Sequence, residues 1–141
     1  MTTARSMAVL MAAVLVASAL FGPPTFAGAA HCDVQKDLVV SQGLGDPHRD
    51  GSSMYRVTVT NQCVGDDRTG RPCVMSRIRL QCGNFRSVVP VDPKVLRVVF
   101  PGVCLLNAGH SIPQDRNVSF VYTSYARQDL YVLSAVCSPG D

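Results

Sequence analysis

The stretch "RIRLQCGNF", from Arg77 to Phe85, alternates arginine or glutamine with aliphatic residues before it reaches a cysteine and a glycine. Successive side chains of a β-strand point to opposite faces, so a period of two predicts a half-buried strand whose arginines face outward. The residues predicted to face inward, one of them upstream of the stretch, are Val74, Ile78, Leu80 and Cys82. The fold therefore depends on how such strands pair and on what Cys82 bonds to.

The same alternation recurs in three other segments, "MYRVTVTNQ" (54–62), "VSFVYTS" (118–124) and "LYVLSAVC" (130–137). Stretches rich in glycine and proline separate them at strand-like spacing, and no helical period of 3.6 residues follows the N-terminal region. The sequence predicts an all-β fold, an antiparallel β-sandwich or open barrel of about seven or eight short strands. The side chains predicted to face its core from these segments are Tyr55, Val57, Val59, Val118, Phe120, Tyr122, Leu130, Val132 and Val136.

The N-terminal region has the pattern of a secretory signal. Arg5 precedes the apolar run "MAVLMAAVLVASALF" (7–21), and "AGAA" (27–30) supplies small residues for signal peptidase. The apolar run is shorter than the roughly 20 residues that cross a bilayer. We therefore expect residues 1–29 to be a signal peptide, cleaved after residue 29 or 30. Residues 30–141 are then expected to form one secreted, extracellular domain that does not insert into a membrane.

The cysteines of this domain are even in number, which in a small exported protein predicts three disulfides rather than a catalytic thiol. None of them has the close C-x2-C spacing of a zinc site, so no metal or cofactor is expected. The favoured local pair is Cys63 with Cys73, because it closes the loop "VGDDRTGRP" (64–72), and Cys137, on the face opposite Val136, is expected to bond at a sheet edge or corner. The predicted disulfide cysteines are Cys32, Cys63, Cys73, Cys82, Cys104 and Cys137.

Composition and motifs argue against several functions. The formal net charge is only +3 and no basic run occurs, which argues against a nucleic-acid partner. The chain has neither a G-x-S-x-G nor an H-E-x-x-H motif. His31, His48 and His110 lie near the N-terminus or in glycine- and proline-rich loops, without a catalytic partner motif. We therefore predict a protein that works by binding and is not an enzyme.

Two regions are candidate binding surfaces, although an ordinary solvated surface is the alternative for both. If the strands that carry "RVTVT" (56–60) and "RIRLQ" (77–81) pair in one sheet, their arginines form a basic, hydroxyl-rich face that Arg86 and Arg97 extend. The loop between Cys63 and Cys73 is the second region. The predicted contact residues are Arg56, Arg77, Arg79, Arg86, Asp66, Asp67, Arg68 and Arg71. Separately, Asn117 begins the N-glycosylation sequon "NVS" (117–119) and is a candidate glycosylation site.

Several segments in order resemble the tapetum-determinant family of small secreted cysteine-rich plant proteins. They are "CDVQKDLVVSQG" (32–43), "YRVTVTNQC" (55–63), "RIRLQCGNFRSV" (77–88), "VDPKVLRVVFPGVCLLNAG" (91–109), "VSFVYTSY" (118–125) and "LYVLSAVC" (130–137). The resemblance implies a ligand secreted into the apoplast that binds the ectodomain of a leucine-rich-repeat receptor kinase. Such a signal specifies tapetal fate in the anther and limits the number of sporogenous cells. The resemblance also implies that the six cysteines form the disulfide frame.

The alternative function is a cell-wall carbohydrate-binding module, for which a basic face would suit an acidic polysaccharide. Sugar-binding platforms usually use exposed aromatic side chains. The chain has no tryptophan, and its four tyrosines are spread over three segments. The sequence therefore favours the receptor ligand.

Overall fold

The structure is a computed structural model, and it describes residues 32–139. The predicted signal peptide, residues 1–29, lies outside the described residues, as does His31. Within the described part, no helix is both long enough and apolar enough to cross a membrane.

Antiparallel strands make up most of the described chain. A short helix, α1 (Val34–Asp37), precedes the strands, and a 3-10 turn (Asn107–Gly109) follows the fifth strand. The strands are β1 (Leu38–Pro47), β2 (Ser53–Asn61), β3 (Cys73–Gly83), β4 (Leu96–Phe100), β5 (Gly102–Leu106), β6 (Asn117–Ser124) and β7 (Tyr131–Pro139).

The helix α1 is a single capped turn that leads into the first strand. Asp33 is its N-cap, and the Asp33 carboxylate accepts hydrogen bonds from the backbone N–H groups of Gln35 and Lys36. This satisfies donors that have no partner within the helix. Leu38 then has extended backbone angles and begins β1 with a buried side chain.

The strands form two sheets with the orders β1-β2-β6 and β4-β5-β3-β7, and every neighbouring pair is antiparallel. Two separate sheets, with one buried cluster contributed by both, make the fold a β-sandwich. The predicted all-β antiparallel fold is confirmed. The chain builds β1 and β2 in the three-stranded sheet, crosses to build β3, β4 and β5, returns for β6 and crosses again for β7.

The core lies between the two inner faces. Val57 and Val59 of β2 and Ile78 and Leu80 of β3 are fully buried, as the alternation in the sequence predicts. Tyr122 of β6 is also fully buried, and its ring lies in aromatic contact with two others. The Tyr122 ring stacks on Tyr55 with the centroids 5.1 Å apart, and Phe85 meets it edge-on at 5.5 Å. Such pairs stabilise a core beyond the area they bury.

Two bulges in the β3–β7 ladder shift the alternation and overturn two predictions. Ser76 pairs with Val136 and Arg79 with Ser134, so β3 holds one extra residue at this point, where Arg77 has a positive φ of 51°. An extra residue reverses which face the preceding side chains occupy. Consequently Met75, not Val74, is fully buried, and Val136 is 47% exposed. The prediction that Val74 and Val136 face the core is therefore wrong.

Three disulfides cross-link the domain, and they use all six cysteines. Cys63 bonds to Cys73, which confirms the predicted local pair. Cys82 of β3 bonds to Cys104 of β5, within the four-stranded sheet. Cys137 of the edge strand β7 bonds to Cys32, before α1, so the prediction of a bond at a sheet edge is also confirmed.

One buried side chain, Asn61 at the end of β2, connects the three-stranded sheet to the rest of the core. The Asn61 amide donates to the carbonyl oxygens of Cys73 (3.2 Å) and Ile112 (2.9 Å), and its oxygen accepts from the Cys63 N–H (2.9 Å). Ile112 in turn exchanges backbone hydrogen bonds with Met75 of β3. Each of these groups is buried. The hydrogen bonds of Asn61 offset the free-energy cost of removing these polar atoms from water.

Candidate interaction surfaces

The structure divides the arginines that the sequence placed on one face. Arg56 belongs to β2, whereas Arg77 and Arg79 belong to β3, and these strands lie in different sheets. The outer faces of a sandwich point in opposite directions. The prediction of a single arginine face through β2 and β3 is therefore wrong, and each sheet has its own outer surface.

The paired rows on the outer surface of the three-stranded sheet contain one charged side chain, Arg56, and we call this surface the hydroxyl face. Its residues alternate with the buried residues of β1, β2 and β6. Thr58 and Ser119 pair directly across two strands, with their hydroxyl oxygens 2.9 Å apart. The hydroxyl face comprises Val39, Ser41, Arg56, Thr58, Thr60, Asn117, Ser119 and Val121.

The candidate glycosylation site lies on the hydroxyl face. Asn117 is exposed, begins the edge strand β6 and pairs with Thr60. An exposed edge position leaves room for a glycan, which is bulky and hydrated. Glycosylation of Asn117 stays a prediction.

The outer surface of the four-stranded sheet combines arginines with apolar side chains, and we call it the arginine–apolar face. One row across the four strands runs from Arg97 through Leu105 and Arg79 to Ser134. The next row runs from Phe100 through Val103 and Gln81 to Tyr131. The face comprises Arg77, Arg79, Gln81, Arg97, Phe100, Val103, Leu105, Tyr131, Leu133, Ser134 and Val136.

Large apolar side chains on this face are well exposed to solvent. The Arg79 guanidinium lies 5.7 Å from the centroid of the Phe100 ring, within cation–π range. None of these apolar residues was predicted from the sequence to lie on a binding surface. For Phe100, the signal in the sequence is the adjacent Pro101, which ends the strand. The exposed fractions are 56% for Phe100, 60% for Tyr131, 44% for Leu133 and 47% for Val136.

The charge on the arginine–apolar face has one sign. None of the strands β3, β4, β5 and β7 contains an aspartate, and the whole chain has no glutamate. Arg77, Arg79 and Arg97 are all exposed. The face therefore presents positive charge without carboxylates from its own strands to neutralise it.

A groove of mixed polar and apolar lining borders this face beyond β7, where the edge strands of the two sheets approach each other. Its volume is about 310 Å³. The floor includes Leu130 and Leu38, which are buried, and the rim includes Tyr131 and Arg127, which are exposed. The groove is large enough to hold a side chain of a partner.

The loop 64–72 forms a second, separate surface. The Asp66 N–H donates to the Arg71 carbonyl at 3.1 Å, and the Asp66 carboxylate accepts from the Arg68 N–H at 2.8 Å. The Asp66 carboxylate is thus used within the turn, while the predicted contact residues Asp67, Arg68 and Arg71 are exposed. A Cβ on Gly65 would overlap the Arg71 carbonyl oxygen, so only glycine fits there.

A residue that the sequence analysis missed holds this loop. The side-chain oxygen of Gln114 accepts from the N–H groups of Gly65 (2.9 Å) and Cys73 (3.0 Å), at the two ends of the loop. Gln114 is 41 residues after Cys73, so no local pattern could have indicated the contact. The loop is therefore held by a side chain as well as by its disulfide.

Arg86, the remaining predicted contact residue, lies in the segment after β3 and is exposed. The Arg86 N–H donates to the side-chain oxygen of Gln128 at 3.0 Å. The Gln128 N–H in turn donates to the Tyr122 hydroxyl, which donates to Gln42 at 2.6 Å. Burial raises the pKa of Tyr122, which keeps the hydroxyl protonated as the donor to Gln42.

Few groups in the described residues are arranged for chemistry. The sulfur atoms of Cys32, Cys73 and Cys137 lie within 4.8 Å of one another, but each is bonded in a disulfide and offers no thiolate to a metal. Hydrogen bonds from Ser52 lower the pKa of Asp50, whose carboxylate accepts from the Ser52 hydroxyl in the β1–β2 turn. That contact stabilises a turn.

The described residues form a small β-sandwich domain cross-linked by three disulfides. A family model described as "Tapetum determinant 1, C-terminal" matches residues 34–138. The chain belongs to the tapetum determinant family, as its resemblance predicted.

Named relatives extend this comparison. The chain is 36% identical over 106 residues to "TPD1 protein homolog 1A" of Oryza sativa subsp. japonica. The aligned residues make up 75% of this chain and 47% of that protein. It is 34% identical over 101 residues to "TPD1 protein homolog 1" of Arabidopsis thaliana. This alignment makes up 72% of this chain and 53% of that protein. The chain thus spans about half the length of these relatives. No solved structure matches it.

Proposed function

We propose that this protein is a secreted signalling ligand of plant reproductive tissue. It binds the ectodomain of a leucine-rich-repeat receptor kinase in the anther, and the signal specifies tapetal fate and limits the number of sporogenous cells. The observation that carries this proposal is the family match over residues 34–138, which includes both sheets. The N-terminal pattern of residues 1–29 supports secretion into the apoplast.

The architecture supports a function in binding rather than catalysis. Three disulfides tie down a domain whose outer surfaces lie on strands. A rigid ligand loses little conformational entropy when it binds. A leucine-rich-repeat solenoid presents an extended concave surface that accommodates a compact domain. The proposal therefore requires no chemistry and no cofactor of the protein itself.

The test is binding of the full-length chain, secreted from plant cells and purified in its oxidised form, to a purified tapetum-type receptor ectodomain. N-terminal sequencing of the same sample determines whether the chain is cleaved after residue 29 or 30. We expect submicromolar affinity, about −8 kcal/mol or stronger, that is lost when the disulfides are reduced and alkylated. An oxidised, folded sample that does not bind would contradict the proposal.

The second candidate function is binding to an acidic wall polysaccharide. It is favoured by one observation, the presence of Arg79, Arg97 and two exposed aromatic rings on the arginine–apolar face. Retention on pectin that falls steeply as salt is raised would support this function.

A further inference from the structure

We propose that the arginine–apolar face is the docking surface for the receptor ectodomain, and that the matching patch on the ectodomain carries carboxylates among apolar side chains. This inference rests on the proposed function and specifies which surface of the ligand performs it. The hydroxyl face and the loop 64–72 then remain in solvent in the complex.

Charge complementarity is the first argument for this occupant. Arg79 and Arg97 flank Leu105 in one row of the sheet, and Arg77 lies in the bulge of β3. No carboxylate from β3, β4, β5 or β7 accompanies them. Guanidinium groups pair with carboxylates in a planar, two-bond geometry. A partner surface with carboxylates at this spacing would satisfy the arginines.

The apolar residues indicate that the partner surface is protein. Phe100, Tyr131, Leu133 and Val136 are each at least 44% exposed on the same face. Interface centres are enriched in aromatic residues and arginine, and these residues supply most of the binding free energy. Aliphatic side chains such as Leu133 and Val136 gain most when apolar partner atoms cover them. The groove beside Tyr131, lined by Gln35 and Arg127 as well as apolar residues, provides room for a side chain of the partner.

Three of the four strands below this face, β3, β5 and β7, contain disulfide-bonded cysteines. The Cys82–Cys104 bond joins β3 to β5 on the inner side of the sheet, directly beneath the rows that contain Arg79 and Val103. The Cys32–Cys137 bond fixes β7. Since the backbone is already fixed, binding orders only the side chains.

The decisive experiment compares two pairs of charge reversals in the full-length, oxidised protein. The test variant is Arg79→Glu with Arg97→Glu, on the arginine–apolar face. The control variant is Arg56→Glu with Arg116→Glu, which makes the same change in net charge at exposed positions outside the four-stranded sheet. Circular dichroism and thermal unfolding verify that both variants fold.

We expect the test variant to bind the ectodomain at least about tenfold more weakly than the wild type, and the control to bind within about twofold. Raising the salt concentration should weaken the wild type more than the test variant, because only the wild type retains the complementary charges. Phe100→Ala with Tyr131→Ala should also weaken binding by about tenfold, with the salt dependence retained.

Three results would overturn the inference in different ways. If the wild type binds and the test variant binds equally well, or the control is weakened as much, another surface docks and the proposed function stands. If the wild type does not bind the ectodomain, the proposed function fails and this inference fails with it. If the wild type instead binds polygalacturonate, and the test variant does not, the face recognises a polysaccharide.

Discussion

The two sheets of this domain differ in how they are held and in what they present. The strands of the four-stranded sheet contain Cys73, Cys82, Cys104 and Cys137, and those of the three-stranded sheet contain no cysteine. The cross-linked sheet presents arginines and exposed apolar side chains, while the other presents hydroxyl groups and a glycosylation sequon.

The difference indicates that the sheet with the disulfide cross-links is also the sheet with the exposed apolar side chains. Exposed apolar side chains favour aggregation unless the backbone that carries them is fixed and charged groups are interspersed. In this protein the disulfides fix that backbone, and the arginines provide the charge. The three-stranded sheet presents a polar surface, and its strands are held by backbone hydrogen bonds and core contacts without a cysteine of their own.

Removing the cross-link within the four-stranded sheet should have the largest effect on stability. Cys82→Ala with Cys104→Ala opens a bond between residues 22 apart in sequence. We expect the free energy of unfolding to fall by about 3 kcal/mol, because the unfolded chain regains the entropy that the bond removes. Denaturant unfolding followed by circular dichroism measures it. A loss below about 1 kcal/mol would mean that the four-stranded sheet does not depend on this disulfide for its stability.

The next effect tests the connection between the sheets. Asn61→Ala leaves the Cys63 N–H and the carbonyls of Cys73 and Ile112 without their side-chain partner in a buried site. We expect a loss of about 2–3 kcal/mol in the free energy of unfolding. The matched control is Asn117→Ala, at an exposed asparagine of the same sheet, which should cost under about 0.5 kcal/mol. Equal losses in the two variants would show that the buried hydrogen bonds of Asn61 do not stabilise the contact between the sheets.

A smaller effect should separate a buried tyrosine hydroxyl of the three-stranded sheet from an exposed tyrosine hydroxyl of the four-stranded sheet. Tyr122→Phe removes the hydroxyl that donates to Gln42 and accepts from the Gln128 N–H. We expect a loss of about 1 kcal/mol, since the stacked ring remains but two polar groups lose a partner. Tyr131→Phe, on the exposed face of β7, is the control and should leave unfolding unchanged. The midpoint of chemical denaturation reports both.

The smallest effect is expected at the glycosylation sequon. If the hydroxyl face remains in solvent in the complex, a glycan at Asn117 does not touch the partner. Asn117→Gln should therefore reduce the intact mass of the secreted protein by one N-glycan and leave its affinity for the ectodomain unchanged. A clear loss of affinity would place the partner on the hydroxyl face and reverse the assignment of the two surfaces.

The strands themselves were predictable because burial on one side imposes a period of two. Val57 and Ile78 follow that rule, and the Cys63–Cys73 bond followed from a short loop between consecutive strands. The bulges were not predictable, since an extra residue such as Arg77 leaves no mark in composition. Val74 and Val136 were misassigned for this reason.

The candidate site was only partly predictable, because sheet membership is a long-range property. Arg79 was correctly placed facing outward, but its neighbours Arg97 and Phe100 meet it only through the order β4-β5-β3. Arg56 has the same local pattern and lies on the opposite side of the sandwich. Long-range hydrogen bonds, such as those of Gln114, likewise depend on the completed topology.

The bond between Cys32 and Cys137 spans 105 residues and converts nearly the whole domain into a covalent ring. A pulling force applied to the two ends of the domain passes through this bond and does not load the ladders of either sheet. A protease that cuts one exposed loop of the ring opens it without releasing a fragment.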